Sequence, residues 1–365
     1  MTFEGTTQSA DGRSFLPPFE TAHTAGLRYV SSEEPGIRRR VVRGAFVYER
    51  GNGIHVRDPA TLDRIKSLAI PPAWRDVWIC SHADGHLQAV GRDAKGRKQY
   101  RYHPDFRAHR ESAKFEHILE FAAALPKIRD RIAADMNRRV LSREKVLATV
   151  AHLLERTLIR VGNRDYSKHN KSYGLTTLLD RHVDISGSEM RFRFTGKSGK
   201  SWALRLSDRR IARVVKACQD IPGQHLFQYY DDTGERQAVS SGDVNAYLRG
   251  ISGLDISTKN FRTWAGTVLA AWALASEKPP SSKAHGKRCI KSAIDRVAAL
   301  LGNTPTVCRK CYVHPLVIET YLDGSLAPIL RRKRGNGNGS LGLTPEERAV
   351  YNLISAPFKE SRTRH

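Results

Sequence analysis

The order of apolar and polar positions divides the chain into a first part with strand-like alternation and a second part with helical periodicity. Residues 1–26 follow no regular pattern and are rich in Gly, Ser, Thr and Pro, so we expect a flexible arm. From Leu27 to about Tyr102, short apolar runs are separated by turn-forming residues, which is typical of strands. Only Pro59–Leu68 has helical spacing in this part. The pattern predicts a small β-rich N-terminal domain over residues 27–110.

Helical spacing begins near Ser112 and predicts a larger, mostly helical domain over residues 111–330. Pro126 is expected to break the first helix, and Ser142 to cap a long helix that ends at Arg160–Gly162. Three alternating segments between His182 and Leu206 predict a three-stranded sheet, with Gly196–Lys200 as the loop of its last hairpin. Further helices are predicted at Asp208–Cys218, Gly242–Leu248, Thr258–Ser276 and Lys287–Leu301.

The chain ends in residues 331–365, which open with Arg331–Arg334 and continue with Gly, Asn and Ser. This composition predicts a basic, partly disordered tail in which only Pro345–Ile354 is helical. The predicted fold class is therefore α+β, with a small β-sheet-rich domain followed by a mostly helical domain that contains a three-stranded sheet.

Charge is the most unusual feature of the composition, because 61 Lys and Arg against 37 Asp and Glu give a formal net charge of +24. Such an excess attracts phosphate backbones over long range, which favours nucleic acid as the partner over a merely solvated basic surface.

Five cysteines, an odd number, fit reduced thiols, and Cys308 and Cys311 lack the second ligand pair of a structural zinc site. Met1–Asp11 has no secretory pattern and no apolar segment has membrane-spanning length, so we expect a cytoplasmic protein without a membrane partner.

Cations and tyrosines are interleaved between Arg92 and Arg110. Cations neutralise backbone phosphates and tyrosines offer hydroxyl donors or stacking faces, whereas a solvated strand edge needs no aromatic residues. The segment therefore predicts a DNA-contacting surface, to which we add the second lysine of the Gly196–Lys200 loop. Its members are Arg92, Arg97, Lys98, Gln99, Tyr100, Arg101, Tyr102 and Lys200.

Single basic residues of the second domain stand where side chains can converge: Arg160 at a helix end, Lys197 at a hairpin tip and Arg262 at a helix start. Each has an ordinary explanation, since arginines cap helix ends and hairpin lysines are solvated. Tyr312 follows a predicted short helix amid cations, and tyrosines commonly pack with the hydroxyl exposed. Only the whole set indicates an anion site with a candidate nucleophile.

Long motifs in the first domain carry a family resemblance. They are Ile70-Pro71-Pro72-Ala73-Trp74, Gly85-His86-Leu87-Gln88-Ala89, Gly91-Arg92-Asp93 and Gly96-Arg97-Lys98-Gln99-Tyr100-Arg101-Tyr102-His103. With them the chain resembles the type IB DNA topoisomerases, most closely their small, poxvirus-like bacterial branch, over nearly all of the part predicted to be ordered. The resemblance implies a catalytic domain of the tyrosine recombinase and topoisomerase IB type.

The resemblance also assigns catalytic positions in the second domain. The family's first arginine falls on Arg160, its hairpin lysine on Lys197, its second arginine on Arg262 and its nucleophile on Tyr312. One position departs from the family pattern, because Asn303 stands where many members of the family carry histidine. An amide NH₂ can donate to a phosphate oxygen, but it cannot become cationic or shuttle a proton.

The implied activity is relaxation of supercoiled duplex DNA without ATP, metal or other cofactor. Tyr312 would attack a backbone phosphate, form a 3′-phosphotyrosyl link and release a 5′-hydroxyl strand that rotates before religation. Arg160, Arg262 and Asn303 would stabilise charge on the phosphate, and Lys197 would protonate the leaving oxygen, with Lys200 as its rival. The implied partner is double-stranded DNA, bound by a monomer at the nucleoid. Two alternatives stay open: a tyrosine recombinase, and a non-catalytic basic nucleic-acid-binding protein.

Overall fold

The computed structural model describes residues 18–94, 96–335 and 342–356. The chain divides into two compact units, Met1–Glu116 and His117–His365. Among the described residues, no helix has both the length and the apolar character needed to cross a bilayer.

The first unit is built on a five-stranded antiparallel sheet with the strand order β2-β1-β3-β4-β5. The strands are β1 (Ile37–Val42), β2 (Ala45–Glu49), β3 (Arg75–Ile79), β4 (Leu87–Arg92) and β5 (Lys98–Tyr102), and the short helices are α1 (Pro18–Thr24) and α2 (Pro59–Ser67). Apolar residues are buried on both sides of the sheet, with Ile37 and Ile79 in one cluster and Trp78 and Val90 in another. The alternation in the sequence thus correctly predicts strands in this part of the chain.

Helix α1 lies within the segment predicted to be a flexible arm. Its Ala22 is fully buried, and the Leu27 N–H donates to the Ala22 carbonyl at 2.8 Å. The prediction is therefore wrong for residues 18–24, because a two-turn helix is too short to show periodicity in sequence. Residues 1–17 of the predicted arm lie outside the described residues.

Helix α3 (Pro104–Met136) is continuous, although Pro126 lies inside it. Proline has no N–H to donate to the preceding turn, which is why a break was expected. A buried stripe that includes Phe121, Leu125 and Ile128 runs past the proline, and its packing holds the helix together. The prediction of a break at Pro126 is therefore wrong. The predicted domain boundary near residue 110 falls inside this helix, and so does the division between the two compact units.

The second unit is mostly helical. Its helices after α3 are α4 (Arg143–Thr157), α5 (Arg164–Asn170), α6 (Arg209–Gln219), α7 (Ser241–Ser252), α8 (Thr258–Ala275), α9 (Lys283–Leu300), α10 (Pro305–Tyr312), α11 (Pro315–Leu322), α12 (Leu326–Gly335) and α13 (Pro345–Ile354). Helix α8 is central, because it packs against α4, α7 and every helix from α9 to α13. Its Trp264, Ala270, Ala271 and Leu274 are buried in the main core.

The predicted three-stranded sheet is present and consists of β6 (Val183–Ser186), β7 (Glu189–Thr195) and β8 (Ser201–Ser207), all antiparallel. Thr195 pairs with Ser201, so Gly196–Lys200 is the hairpin loop that the sequence indicates. A separate two-stranded sheet, β9 (Gln228–Tyr230) with β10 (Arg236–Ala238), follows α6.

The second unit does not end at residue 330 as predicted. Arg331–Arg334 belong to α12, and Ala349, Val350 and Leu353 of α13 are buried in the main core. The Arg129 guanidinium donates to both carboxylate oxygens of Glu347, at 2.7 and 2.9 Å. The described part of the predicted tail is therefore packed structure, and residues 336–341 and 357–365 lie outside the described residues.

Candidate active site

Arg160 lies in an extended segment just after α4. Leu158 ends that helix in a left-handed conformation with φ 56°, so Arg160 stands two residues beyond the cap and not at the helix end as predicted. The Arg160 carbonyl accepts from the Leu175 N–H at 2.9 Å. Gly174 lies so close that a Cβ there would be 2.5 Å from the same carbonyl oxygen. The backbone at Arg160 is therefore held in one position.

The Arg160 side chain points at the loop between α9 and α10. Its Nη2 donates to the Gly302 carbonyl at 3.2 Å and to Oδ1 of Asn303. Burial lowers the pKa of Arg160, and the neighbouring Tyr312 opposes that shift. The hydrogen bonds place the guanidinium at the Gly302–Asn303 turn.

Arg262 is almost completely buried, with 3% of its surface exposed, near the start of α8. Nη1 donates to the Leu158 carbonyl, and Nη2 donates to the Leu301 carbonyl at 2.6 Å. The guanidinium carbon lies 5.3 Å from the centroid of the Tyr312 ring. Burial lowers the pKa of Arg262, and the like charge of Arg160 lowers it further.

Asn303 completes this group of donors. Only 6% of its surface is exposed, and its Nδ2 has no hydrogen-bond partner among the described residues; the same is true of Nε of Arg262. In the described part of the chain, no carboxylate lies within ion-pair distance of Arg160 or Arg262. A buried donor without a partner costs about 1–3 kcal/mol, and buried like charges cost more. The pocket is therefore suited to an anion that accepts from all three side chains.

Tyr312 is the last residue of α10, a helix that Thr304 caps and Pro305 opens. The tyrosine is half-buried, and its backbone is held against α8. Thr267 donates its hydroxyl to the Tyr312 carbonyl at 3.2 Å, and a Cβ on Gly266 would lie 2.7 Å from the same oxygen. Gly266 and Thr267 were not among the predicted site residues, although a glycine inside a helical pattern signals close packing.

Two cysteines share α10 with Tyr312. Neither Cys308 nor Cys311 is in a disulfide, and Cys308 is fully buried. Burial raises the pKa of Cys308 to about 11, so its thiolate is scarce near neutral pH. Among the described residues, no cluster of three His, Cys, Asp or Glu side chains could hold a metal ion. Tyr312 is therefore the stronger candidate nucleophile of this helix.

The β7–β8 hairpin supplies the two candidate lysines. Lys197 lies on its exposed tip, where Ser198 adopts a left-handed φ of 63°. Lys200 donates Nζ to the Asn303 carbonyl at 2.8 Å. The structure thus brings together Arg160, Arg262, Asn303 and Tyr312, and it joins the hairpin to them through Lys200.

Part of the predicted DNA-contacting surface stabilises the turn between β4 and β5. Arg97 forms an ion pair with Asp93 at 2.6 Å, and Gln99 donates to the same carboxylate at 2.9 Å. Arg92 donates to the Gly96 carbonyl at 3.0 Å. Asp93, which was not among the predicted site residues, is the centre of this turn.

Four further members lie on β5 with side chains on alternate faces: Lys98, Tyr100, Arg101 and Tyr102. Arg101 donates to the Ala69 carbonyl at 3.1 Å and stacks over Trp74, whereas Lys98 and Tyr100 are exposed. Tyr100 and Tyr102 stack with ring centroids 6.0 Å apart, and the Lys98 ammonium lies 5.8 Å from the Tyr100 ring. A cation beside a stacked aromatic pair is the combination that a nucleic-acid surface uses.

Comparison with known proteins gives a consistent result over both units. A family model described as the catalytic core of eukaryotic DNA topoisomerase I matches residues 103–326, and one described as the N-terminal domain of bacterial DNA topoisomerase IB matches residues 45–93. DNA topoisomerase 1B of Acanthamoeba polyphaga mimivirus is 30% identical over 293 residues, which cover 78% of this chain and 87% of the viral protein. DNA topoisomerase 1B of vaccinia virus (strain Copenhagen) and DNA topoisomerase I of monkeypox virus are each 24% identical over 283 residues, covering 75% of this chain and 86% of the viral proteins.

Proposed function

The chain belongs to the type IB DNA topoisomerases, which relax supercoiled DNA, and we propose that Tyr312 is the nucleophile with which it cleaves one strand of the duplex. The observation that carries this proposal is a pair of guanidiniums without a carboxylate partner among the described residues: Arg262, buried beside the Tyr312 ring, and Arg160, half-buried at the Gly302–Asn303 turn. A DNA phosphate is the anion that would neutralise them.

In the proposed cleavage step Tyr312 gives up its phenolic proton to water, its oxygen forms a bond to phosphorus, and the bond from phosphorus to the 5′-oxygen breaks. The product is a 3′-phosphotyrosyl link, and negative charge gathers on the non-bridging oxygens on the way to it. Arg160 and Arg262 present planar forks that match a phosphate in two bonds. Asn303 adds a neutral N–H through Nδ2. Such fixed donors stabilise the transition state without reorganisation, and removing one typically costs about 10²–10³-fold in rate.

The leaving 5′-oxygen needs a proton, which we assign to Lys197. A general acid typically contributes about 10²–10⁴-fold. Lys200 is the rival in the same loop, and its ammonium donates to the Asn303 carbonyl at 2.8 Å. In religation the free 5′-hydroxyl attacks the phosphotyrosine, Lys197 takes the proton back and Tyr312 leaves. The energy of the phosphodiester is conserved in the covalent link, and the guanidiniums supply the positive charge, so we expect relaxation without ATP and in the presence of a chelator.

We propose double-stranded DNA at the nucleoid as the partner. One chain holds all four residues of the pocket, so a monomer suffices for the chemistry. In the first unit, exposed Lys98 and Tyr100 offer a cation and a stacking face to the duplex.

A tyrosine recombinase performs the same transesterification and is the second candidate. The match of residues 45–93 to a bacterial topoisomerase IB N-terminal domain favours the topoisomerase. Plasmid substrates distinguish the two, because a topoisomerase yields relaxed topoisomers and no recombinant products.

The test is the Tyr312→Phe variant, assayed for plasmid relaxation and for a covalent protein–DNA adduct without ATP and with a metal chelator. Removal of the phenol oxygen should abolish both signals. Tyr230→Phe is the matched control and should keep both, because Tyr230 has an exposed ring in β9. Relaxation by Tyr312→Phe at the parent rate, or an adduct mapped to another tyrosine, would overturn the proposal.

A further inference from the structure

Trp202 of β8 lies between two glycines that adjoin residues of the proposed site. Gly196 precedes Lys197, and Gly302 precedes Asn303. A Cβ on Gly196 would lie 2.6 Å from Nε1 of Trp202, and a Cβ on Gly302 would lie 2.6 Å from its Cζ2. The indole ring therefore touches the backbone on both sides, and neither position has room for a side chain.

The ring of Trp202 is itself fixed. It stacks on Phe194 of β7 with ring centroids 5.9 Å apart and an angle of 3° between the planes, and Phe194 is buried in the main core. Because Trp202 cannot tilt without losing this contact, it sets the distance between the hairpin loop and the Gly302–Asn303 turn.

Lys200 makes a second connection between the same two segments. Its Nζ donates to the Asn303 carbonyl at 2.8 Å, while its own carbonyl accepts from the Gly196 N–H at 2.7 Å. Arg160 donates to the Gly302 carbonyl at 3.2 Å. The turn that carries Asn303 is thus tied both to the Lys197 hairpin and to the first arginine.

We infer that Trp202 and Lys200 are positioning residues that hold the Lys197 hairpin against the Gly302–Asn303 turn, so that the Lys197 ammonium reaches the leaving 5′-oxygen. The inference rests on the proposed function, and it assigns Lys200 a role distinct from acid catalysis. Lys197 needs such support because it stands on an exposed loop with Ser198 and Gly199 at positive φ. A misplacement of about 1 Å can cost about 10²-fold in rate.

A pair of DNA substrates tests this role. Both carry the phosphate at which the parent protein forms its adduct, one with the natural bridging 5′-oxygen and one with sulfur in its place. A thiolate leaves without a proton, since thiols have a pKa of about 8.5, so the sulfur substrate bypasses the general acid. The measurement is the single-turnover rate of adduct formation for Trp202→Ala, Lys200→Met and Lys197→Met. Lys216→Met, on the exposed face of α6, is the surface-lysine control.

On the oxygen substrate, Trp202→Ala and Lys200→Met should be slower than the parent by about 10-fold or more, up to the loss of about 10²–10⁴-fold expected for Lys197→Met. On the sulfur substrate, all three variants should return to near the parent rate. Lys200→Met changes an exposed side chain, and thermal unfolding of each variant shows whether the fold is intact.

Equal slowing of Trp202→Ala and Lys200→Met on both substrates would overturn the inference, because it would show a general structural role. Unchanged rates on the oxygen substrate would also overturn it. If Lys197→Met recovers on sulfur and the other two variants do not, the positioning role fails while the proposed function stands. If Lys197→Met itself does not recover, the acid assignment fails and the inference fails with it.

Discussion

The Asn303 amide has one atom bonded to Arg160 and one donor that is left to bind the proposed phosphate. Its Oδ1 faces the Arg160 guanidinium, which has only donors, so the oxygen must be the atom on that side. The NH₂ group consequently points the other way, buried and unpartnered among the described residues. The arginine that we propose to bind the phosphate thus orients the amide that we propose to donate beside it.

The Asn303→Asp variant separates this donor role from packing. Aspartate has the same shape, but it replaces the Nδ2 donor by an acceptor and brings a negative charge next to Arg160 and Arg262. We expect adduct formation to fall by about 10²–10³-fold, as on loss of one oxyanion donor. The thermal midpoint should rise, because a carboxylate relieves the uncompensated charge of the buried Arg262 and the half-buried Arg160. Single-turnover cleavage and a thermal melt check both effects; unchanged cleavage would show that Asn303 does not touch the phosphate.

At the scale of elements, the site depends on the close approach of α8 and α10. Arg262 and Gly266 are one turn apart on α8, so the helix that buries the guanidinium also receives the Tyr312 backbone. Since Tyr312 ends α10, any shift of that helix moves the phenol relative to Arg262. The distance of 5.3 Å between the guanidinium and the ring is therefore set by helix packing.

The Gly266→Ala variant tests this dependence. The new Cβ would lie 2.7 Å from the Tyr312 carbonyl oxygen and 3.1 Å from Tyr312 Cβ, so α10 has to move away. A displacement approaching 1 Å predicts a loss of cleavage rate of up to about 10²-fold. Gly250→Ala on α7 is the control, because no atom lies within 4 Å of its Cβ position. The control should keep full cleavage and gain up to about 1 kcal/mol of stability from helix propensity. Equal cleavage rates for both variants would contradict the argument.

The elements that were predictable from sequence are those whose own residues determine them. The β7–β8 hairpin follows from strict alternation around a Gly-rich loop, and the Ser142 cap follows from local hydrogen bonding to Lys145. Continuity of α3 through Pro126 depends instead on partners distant in sequence. Likewise, Arg262 donates to the backbone carbonyls of Leu158 and Leu301, and backbone acceptors cannot be recognised from residue types. The arginine was therefore predictable from the sequence, but its partners were not.

At the scale of the whole molecule, the C-terminal segment closes the core of the second unit. Arg129 of α3 bonds to Glu155 of α4 as well as to Glu347 of α13. Trp264 of α8 donates its indole N–H to Glu347 at 3.2 Å. The sequence does not indicate this packing, because the basic cluster at 331–334 has the composition of a tail. The partners of α13 also lie about 80 to 220 residues away in the sequence.

The net charge of +24 makes DNA affinity a property of the whole chain, and its salt dependence measures how many phosphates the protein engages. Each neutralised phosphate of B-DNA adds about −0.9 to the slope of log affinity against log salt, so engagement of four phosphates predicts a slope of about −3.6. For the non-cleaving Tyr312→Phe protein we expect a slope at least this steep. Lys98→Met should reduce its magnitude by about 0.9, because Lys98 is exposed beside Tyr100. Arg97→Met should reduce it less, because Asp93 already neutralises Arg97 at 2.6 Å. Equal effects of the two substitutions would show that the ion pair opens on DNA, and a flat salt response would contradict the electrostatic basis of binding.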